Sequence, residues 1–151
     1  MPRRNQSQTS NLPINTTNSI PSINFTYSEN FNKTMELNTE NYPSWKTTML
    51  HFLDMNDLID YILTEKVRKF KINKIENLNN YTIDKINPSL AYHKDIDSNT
   101  VKLDNITKWI ILNSIGDATK KLIETRAKNA FESWKILENS FTKGKEQLHA
   151  E

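Results

Sequence analysis

Apolar residues in segment 126–141 recur at steps of three and four, which is the spacing of one face of an α-helix. They are Ala127, Ala130, Phe131, Trp134, Leu137 and Phe141. Thr125 is placed to cap the start of this helix, and Gly144 follows its end, where a left-handed residue commonly stops a helix. A lone amphipathic helix of this length is marginal in water, so the aromatic stripe must pack against a partner surface.

The best partner for that stripe is segment 37–53, which is also centred on a tryptophan with helical spacing. Pro43 suits the first turn of a helix, where a missing N–H costs nothing. The apolar residues that follow lie at i, i+4, i+7 and i+8, and they are Trp45, Met49, Phe52 and Leu53. The pattern predicts one helix here and a second, short helix over residues 58–63.

Segment 100–115 predicts a third strong helix, capped by Ser98 or Asn99 and followed by Gly116 as a stop. Its broad apolar face suggests the most buried helix of the domain, and comprises Leu103, Ile106, Trp109, Ile110 and Leu112. Asp117 is placed to cap a further short helix through residues 120–124. No segment alternates with the period of a strand, and the chain has only 2 glycines for tight turns. We therefore expect an all-α domain of four to six helices.

The composition indicates that a compact core occupies only part of the 151 residues. Hydrophobic residues make up 36% of the chain and the mean hydropathy is −0.71, both low for a chain that folds throughout. Residues 1–33 are rich in Asn, Ser and Thr, and we expect a disordered tail there. The helical domain is expected at 34–143, with a polar connector at 64–99. Residues 144–151 would form a C-terminal tail or begin a second domain.

A basic run at 65–74 is the one charged segment that suggests a ligand. The net charge of +2 is too small to indicate a nucleic-acid partner by itself. The run nevertheless carries five cations that could bind phosphates and one ring that could stack on a base: Lys66, Arg68, Lys69, Lys71, Lys74 and Phe70. A solvated helix face, with Val67, Phe70 and Lys71 leaning on the core, explains the same pattern. Both interpretations stay open.

Patterns typical of enzymes and of metal sites are missing from the sequence. There are no cysteines, so a disulfide scaffold and a thiolate metal site are excluded. His51, His93 and His149 have no second ligand at i+3 or i+4. The acidic residues at 54–60 lack the glycine and the distal glutamate of an EF-hand, which makes helix capping the better explanation. No phosphate-binding loop or nucleophile elbow occurs. We expect no enzymatic activity, no cofactor, no metal and no small-molecule substrate.

The sequence also indicates where the protein works. No apolar run approaches the roughly 20 residues that span a bilayer, and the N-terminus has no apolar signal region. We therefore expect an intracellular, cytoplasmic protein that has no membrane partner.

Three short motifs follow one another along the chain. The first comprises Leu37, Asn41, Tyr42 and Trp45, with an apolar helix beginning at Met49. The second closes the helix that contains Trp109, and comprises Ile111, Ser114, Ile115 and Asp117. The third comprises Ala130, Trp134, Leu137 and Phe141. In this order and spacing the motifs resemble the capsid-like N-terminal region of Gag from copia-type LTR retrotransposons, over about residues 36–142.

The resemblance implies a helical domain with the motif residues in its core. Its partners would be further copies of itself or full-length Gag, packed into a particle around the RNA of the element. The chain departs from the family where Thr39 or Glu40 replaces a glycine, in its long connector, and in ending where the family continues into a second domain and often a Cys/His knuckle. We expect a truncated or co-opted copy on that account. An RNA- or DNA-binding module and a protein-interaction adaptor are the alternatives.

Overall fold

The computed structural model of the protein describes the backbone of residues 35–150 and the side chains of residues 35–142. The predicted tail at 1–33 lies outside these residues. The described part contains five α-helices: α1 (Tyr42–Met55), α2 (Asp60–Leu63), α3 (Ser98–Leu112), α4 (Asp117–Arg126) and α5 (Ala130–Ala150). Three strands lie between α2 and α3: β1 (Lys69–Lys71), β2 (Tyr81–Ile83) and β3 (Leu90–His93). Two 3₁₀ turns, Ile72–Lys74 and Leu78–Asn80, link β1 to β2.

The helices enclose one hydrophobic core around Trp45, which is 1% exposed. Its ring stacks on Trp134 of α5 with centroids 5.6 Å apart, and on Tyr42 at 5.9 Å. Tyr42 in turn stacks on Phe141 at 5.5 Å. The Trp45 indole Nε1 donates a hydrogen bond of 3.1 Å to Ser114 Oγ, which satisfies the polar atom of this buried ring. The predicted pairing of segment 37–53 with the stripe of α5 is therefore present.

The start of α1 is fixed by polar side chains. Asn41 precedes the helix, its amide nitrogen donates to the Glu36 carbonyl (3.1 Å), and its Oδ1 accepts from the Asn38 N–H (2.9 Å). Asn41 thus ties a turn together and is only half buried. Pro43 lies in the first turn, as the sequence predicts.

The end of α1 has the hydrogen bonds of a Schellman motif. The Leu58 N–H bonds to the Leu53 carbonyl at 2.8 Å, and the Asp57 N–H to the Asp54 carbonyl at 3.1 Å. Asp57 takes the left-handed conformation there, with φ of 59°. The acidic residues at 54–60 therefore end one helix and begin the next, which agrees with the capping explanation of their spacing.

A three-stranded antiparallel sheet occupies the predicted polar connector, so the prediction of an all-α domain is wrong. The strand order is β1-β3-β2, which places the last strand of the sequence at the centre. β3 pairs Tyr92 with Lys69 on one side and His93 with Tyr81 on the other. Strands of three or four residues are too short to show a period. The turn between β2 and β3 contains no glycine, because Asn87 Oδ1 accepts from the Ser89 N–H and hydroxyl instead.

One face of this sheet packs on the helices through a small second core. Val67, Tyr92 and Val101 are buried together there, with Ile96 against them. Because side chains alternate across a strand, the opposite face carries Phe70, Tyr81 and His93. The sheet therefore joins the helical core by one face and turns an aromatic face outward.

Helix α3 buries a different face from the predicted one. Asp97, rather than Ser98 or Asn99, caps its start by accepting from the Asn99 N–H at 3.1 Å. Its buried residues are Val101, Asp104, Thr107, Ile110, Ile111 and Leu112. The prediction that Trp109 belongs to the core is wrong, since this residue is 52% exposed. Two polar residues take the buried positions, and their burial depends on partners that hydropathy does not reveal.

Helix α5 begins four residues later than predicted and runs through Gly144 instead of stopping there. Thr125 belongs to α4, where its hydroxyl bonds to carbonyls of its own helix. Asn129 caps α5 by accepting from the Glu132 N–H at 2.8 Å, and the Glu132 carboxylate accepts from the Lys128 N–H at 2.8 Å. A glycine inside a helix costs only about 1 kcal/mol, which the rest of the helix offsets.

Candidate functional site

A groove of about 690 Å³ runs along the outer face of the sheet. It is lined by Lys69, Phe70, Lys71, Lys74, Ile75, Glu76, Asn77, Asn80, Tyr81, His93 and Lys128. These residues come from all three strands, from the connection between β1 and β2, and from the residue pair that precedes α5. The groove therefore brings together cations, amides and aromatic rings from segments far apart in the sequence.

Three rings form a cluster in this groove. Tyr81 and His93 are direct cross-strand partners, and their rings stack with centroids 4.5 Å apart at an interplanar angle of 29°. Phe70 meets both rings edge-on, at 5.8 Å from Tyr81 and 6.0 Å from His93. Edge-to-face and offset-stacked rings are the favoured arrangements of aromatic pairs. Phe70 and Tyr81 are half-buried while His93 is exposed, so the cluster is supported from within and open at the histidine.

Cations outnumber carboxylates around these rings. Lys71 and Lys74 are exposed, and Lys128 is half-buried beside them. Lys128 is placed by its neighbour Asn129, which is fully buried and donates to the Val67 carbonyl and to Glu65 Oε2, both at 2.8 Å. Glu76 is the single carboxylate among the lining residues. The groove thus has the charge that attracts a polyanion.

The structure divides the six predicted contact residues into two sets. Phe70, Lys71 and Lys74 line the groove. Lys66 is exposed and is not among the lining residues, and Arg68 is exposed and pairs with Glu65 at 3.2 Å. Strand alternation explains the separation, because neighbouring residues of β1 point to opposite faces of the sheet.

Lys69 is the one predicted contact that the structure contradicts, although its backbone borders the groove. Its side chain is 3% exposed and its ammonium group bonds to Asp84 Oδ2 at 3.2 Å and to Asn105 Oδ1 at 3.1 Å. A cation used in this way is not available to a phosphate. Lys69 instead fixes the sheet to α3.

Asp104 is a second buried carboxyl next to that ion pair. Its residue is 0% exposed, and its Oδ1 accepts from the Ala130 N–H at 3.4 Å. Burial raises the pKa of Asp104 to about 7, and Lys69, that hydrogen bond and Lys108 offset only part of the rise. Burial also lowers the pKa of Lys108, whose ammonium group donates to the Ala127 carbonyl at 2.9 Å. The junction between α3 and the start of α5 therefore holds an acid that titrates near neutral pH.

The stability of the protein should consequently depend on pH through Asp104. Between about pH 4 and pH 7 the folded state keeps a proton that the unfolded chain releases near pH 3.8, so the free energy of unfolding falls as pH rises. We expect a loss of up to about 4 kcal/mol across this window. Urea melts at a series of pH values measure it. Asp104→Asn keeps an acceptor for the Ala130 N–H and should flatten the profile; an equal slope in both proteins would contradict this assignment.

Tyr81, His93 and Lys128 escaped the sequence analysis. His93 has no metal-ligand spacing, and its partner Tyr81 is recognisable only once the register of β2 and β3 is known. The alternation in segment 90–93 was the available signal, but four residues are too few to establish a period. Lys128 lies 54 residues beyond Lys74, and no local pattern relates them.

Among the described residues, no group of three or more His, Cys, Asp or Glu side chains could hold a metal ion. No helix within 35–150 combines the length and the apolar character needed to cross a membrane.

Comparisons with known proteins found no matching family model, no matching curated protein and no matching solved structure.

Proposed function

We propose that this chain is a non-enzymatic, intracellular structural protein of the capsid type, descended from a copia-type Gag and acting through self-association. One observation carries the proposal: Trp45, from the first motif of the resemblance, contacts Ser114 of the second motif and Trp134 of the third. Three motifs that are separate in the sequence thus form one core. This is the arrangement expected if the motifs are the framework of a shared fold rather than chance matches.

A second groove, of about 450 Å³, is the surface that we expect a second copy to bury. It lies between α3 and the turn that joins β2 to β3, where Ile86 is 74% exposed and Trp109 52% exposed. Its lining also includes Glu124 and Lys128. A patch that carries both signs of charge around apolar residues can meet its own copy across a two-fold axis, with each cation facing a carboxylate.

Sedimentation velocity of the nuclease-treated protein over a concentration series tests self-association directly. We expect the sedimentation coefficient to rise with concentration and particles or oligomers to be visible by negative-stain electron microscopy. Ile86→Asp should weaken association by about tenfold or more, because it places a charge in the apolar patch. Met55→Asp is the matched control, since Met55 is 59% exposed but lies outside this groove. A monomer at every concentration would contradict the capsid proposal.

Nucleic-acid binding is the second candidate function, and the aromatic groove with its three lysines favours it. Neutralising Lys71, Lys74 and Lys128 together, each to Gln, should weaken binding of a labelled RNA. The same variant should reduce the slope of log affinity against log salt by about one for each phosphate contact removed. Glu76→Gln should have the opposite sign and strengthen binding, because it removes the carboxylate from the groove.

The matched control for this experiment neutralises three exposed lysines that do not line the groove, Lys66, Lys102 and Lys121. It makes the same change in net charge. If both triple variants lose the same affinity, the binding is non-specific attraction to the whole protein rather than recognition by the groove.

A further inference from the structure

We propose that the outer face of the sheet is a stacking platform for unpaired bases, so that the ligand of the groove is a single-stranded nucleic acid and not a duplex. The inference rests on the second candidate function above and specifies its ligand and its mode of recognition. His93 is the residue on which the base would stack.

The geometry of the rings supports this assignment. Tyr81 covers one face of the His93 ring at a centroid distance of 4.5 Å, and Phe70 meets the same ring edge-on at 6.0 Å. Ala91, the residue opposite Phe70 in the register, is 0% exposed and lies between the strands that carry the rings. The His93 ring is therefore held in one orientation by its neighbours, while the side chain as a whole is exposed. A ring that is fixed beforehand loses little entropy when a base stacks on it.

The polar residues of the groove suit the rest of a nucleotide. Lys71, Lys74 and Lys128 provide cations for the phosphates on either side of a stacked base. Asn77 and Asn80 add amide groups, which offer both donors and acceptors to the edge of a base. Rings interleaved with cations along a groove are the general arrangement of proteins that bind single strands.

The same rings exclude a duplex as the preferred ligand. Bases in a duplex are stacked on one another, so their faces are covered and a duplex can use only the lysines. An unpaired base of RNA or DNA can use the lysines and the ring together. An acidic peptide would likewise gain from the lysines alone, and it serves as the comparison ligand.

Fluorescence anisotropy with labelled oligonucleotides of about 12 nucleotides, the length covered by small single-strand modules, tests the proposal. The probes are single-stranded RNA, single-stranded DNA, a DNA duplex and an acidic peptide. We expect both single strands to bind more tightly than the duplex and the peptide. His93→Ala should weaken single-strand binding by about tenfold and leave duplex binding unchanged. His93→Phe keeps a ring without the imidazole and should retain single-strand affinity.

His51→Ala is the matched control, because His51 is an exposed histidine on α1 that does not line the groove. Far-ultraviolet circular dichroism shows whether each variant remains folded. Equal affinity for single strands and duplex, with no effect of His93→Ala, would overturn the stacking platform while leaving nucleic-acid binding in place. Absence of binding to every nucleic acid at low salt would overturn both.

Discussion

Trp134→Ala is expected to lower the free energy of unfolding by about 3–5 kcal/mol, the usual cost of truncating a buried tryptophan to alanine. Trp134 is 5% exposed and stacks on Trp45, which is itself 1% exposed. Removing the ring leaves a cavity beside Trp45 and takes away its stacking partner, so the loss includes both the transfer of the ring and the contacts around the space. Denaturation by urea, followed by circular dichroism, measures it.

Trp109→Ala provides a control of the same chemistry, because Trp109 is 52% exposed. It should cost less than half as much, since burial determines most of the effect. Equal losses at the two positions would mean that Trp134 is not part of the core. The contact between the first and third motifs, and the proposal built on it, would then lose its support.

Lys69→Met should cost about 3–5 kcal/mol, the usual result of breaking a buried ion pair from one side. The substitution removes the cation that faces Asp84, whose side chain is 2% exposed, and leaves that carboxylate without its charge partner. Asp84 Oδ1 has no hydrogen-bond partner among the described residues, so the loss of Lys69 leaves the carboxylate still further from satisfied. The expected measurement is again the free energy of unfolding.

Two further variants separate the explanations. Arg68→Met removes the neighbouring cation, but that side chain is 70% exposed and its pair with Glu65 should be worth less than about 1 kcal/mol. Lys69→Met combined with Asp84→Leu removes both charges and should recover much of the stability lost by the single change. If the double variant is no more stable than Lys69→Met, the cost lies in packing and not in an uncompensated charge.

The long helices could be predicted from the sequence because their signals are local. Pro43 and the four apolar residues after it lie within three turns, and the burial of that face follows from helical spacing alone. The apolar stripe of α5 is equally local, although its true beginning depends on Asn129. That residue caps the helix and also bonds to Val67, which lies 62 residues earlier in the chain.

The sheet and the groove could not be predicted because their determinants are not local. β1 finds its partner in β3 and not in the next strand, and each strand is too short to show alternation. Lys69 looks like its neighbours in a basic run until Asp84 and Asn105 are known to face it. Asp104 and Thr107 interrupt the apolar pattern of α3 on the side that becomes buried, which shifted the predicted face toward Trp109.

The position of β3 at the centre of the sheet has a consequence for how the protein is made. Neither β1 nor β2 has a neighbour to pair with until residues 90–93 have left the ribosome. Trp45 waits longer, because its hydrogen-bond acceptor lies 69 residues further on and its stacking partner later still. A nascent chain that includes the first motif but not the third therefore exposes its largest apolar surface. The completion of α5 is the step at which the protein ceases to be a substrate for chaperones and becomes a folded domain.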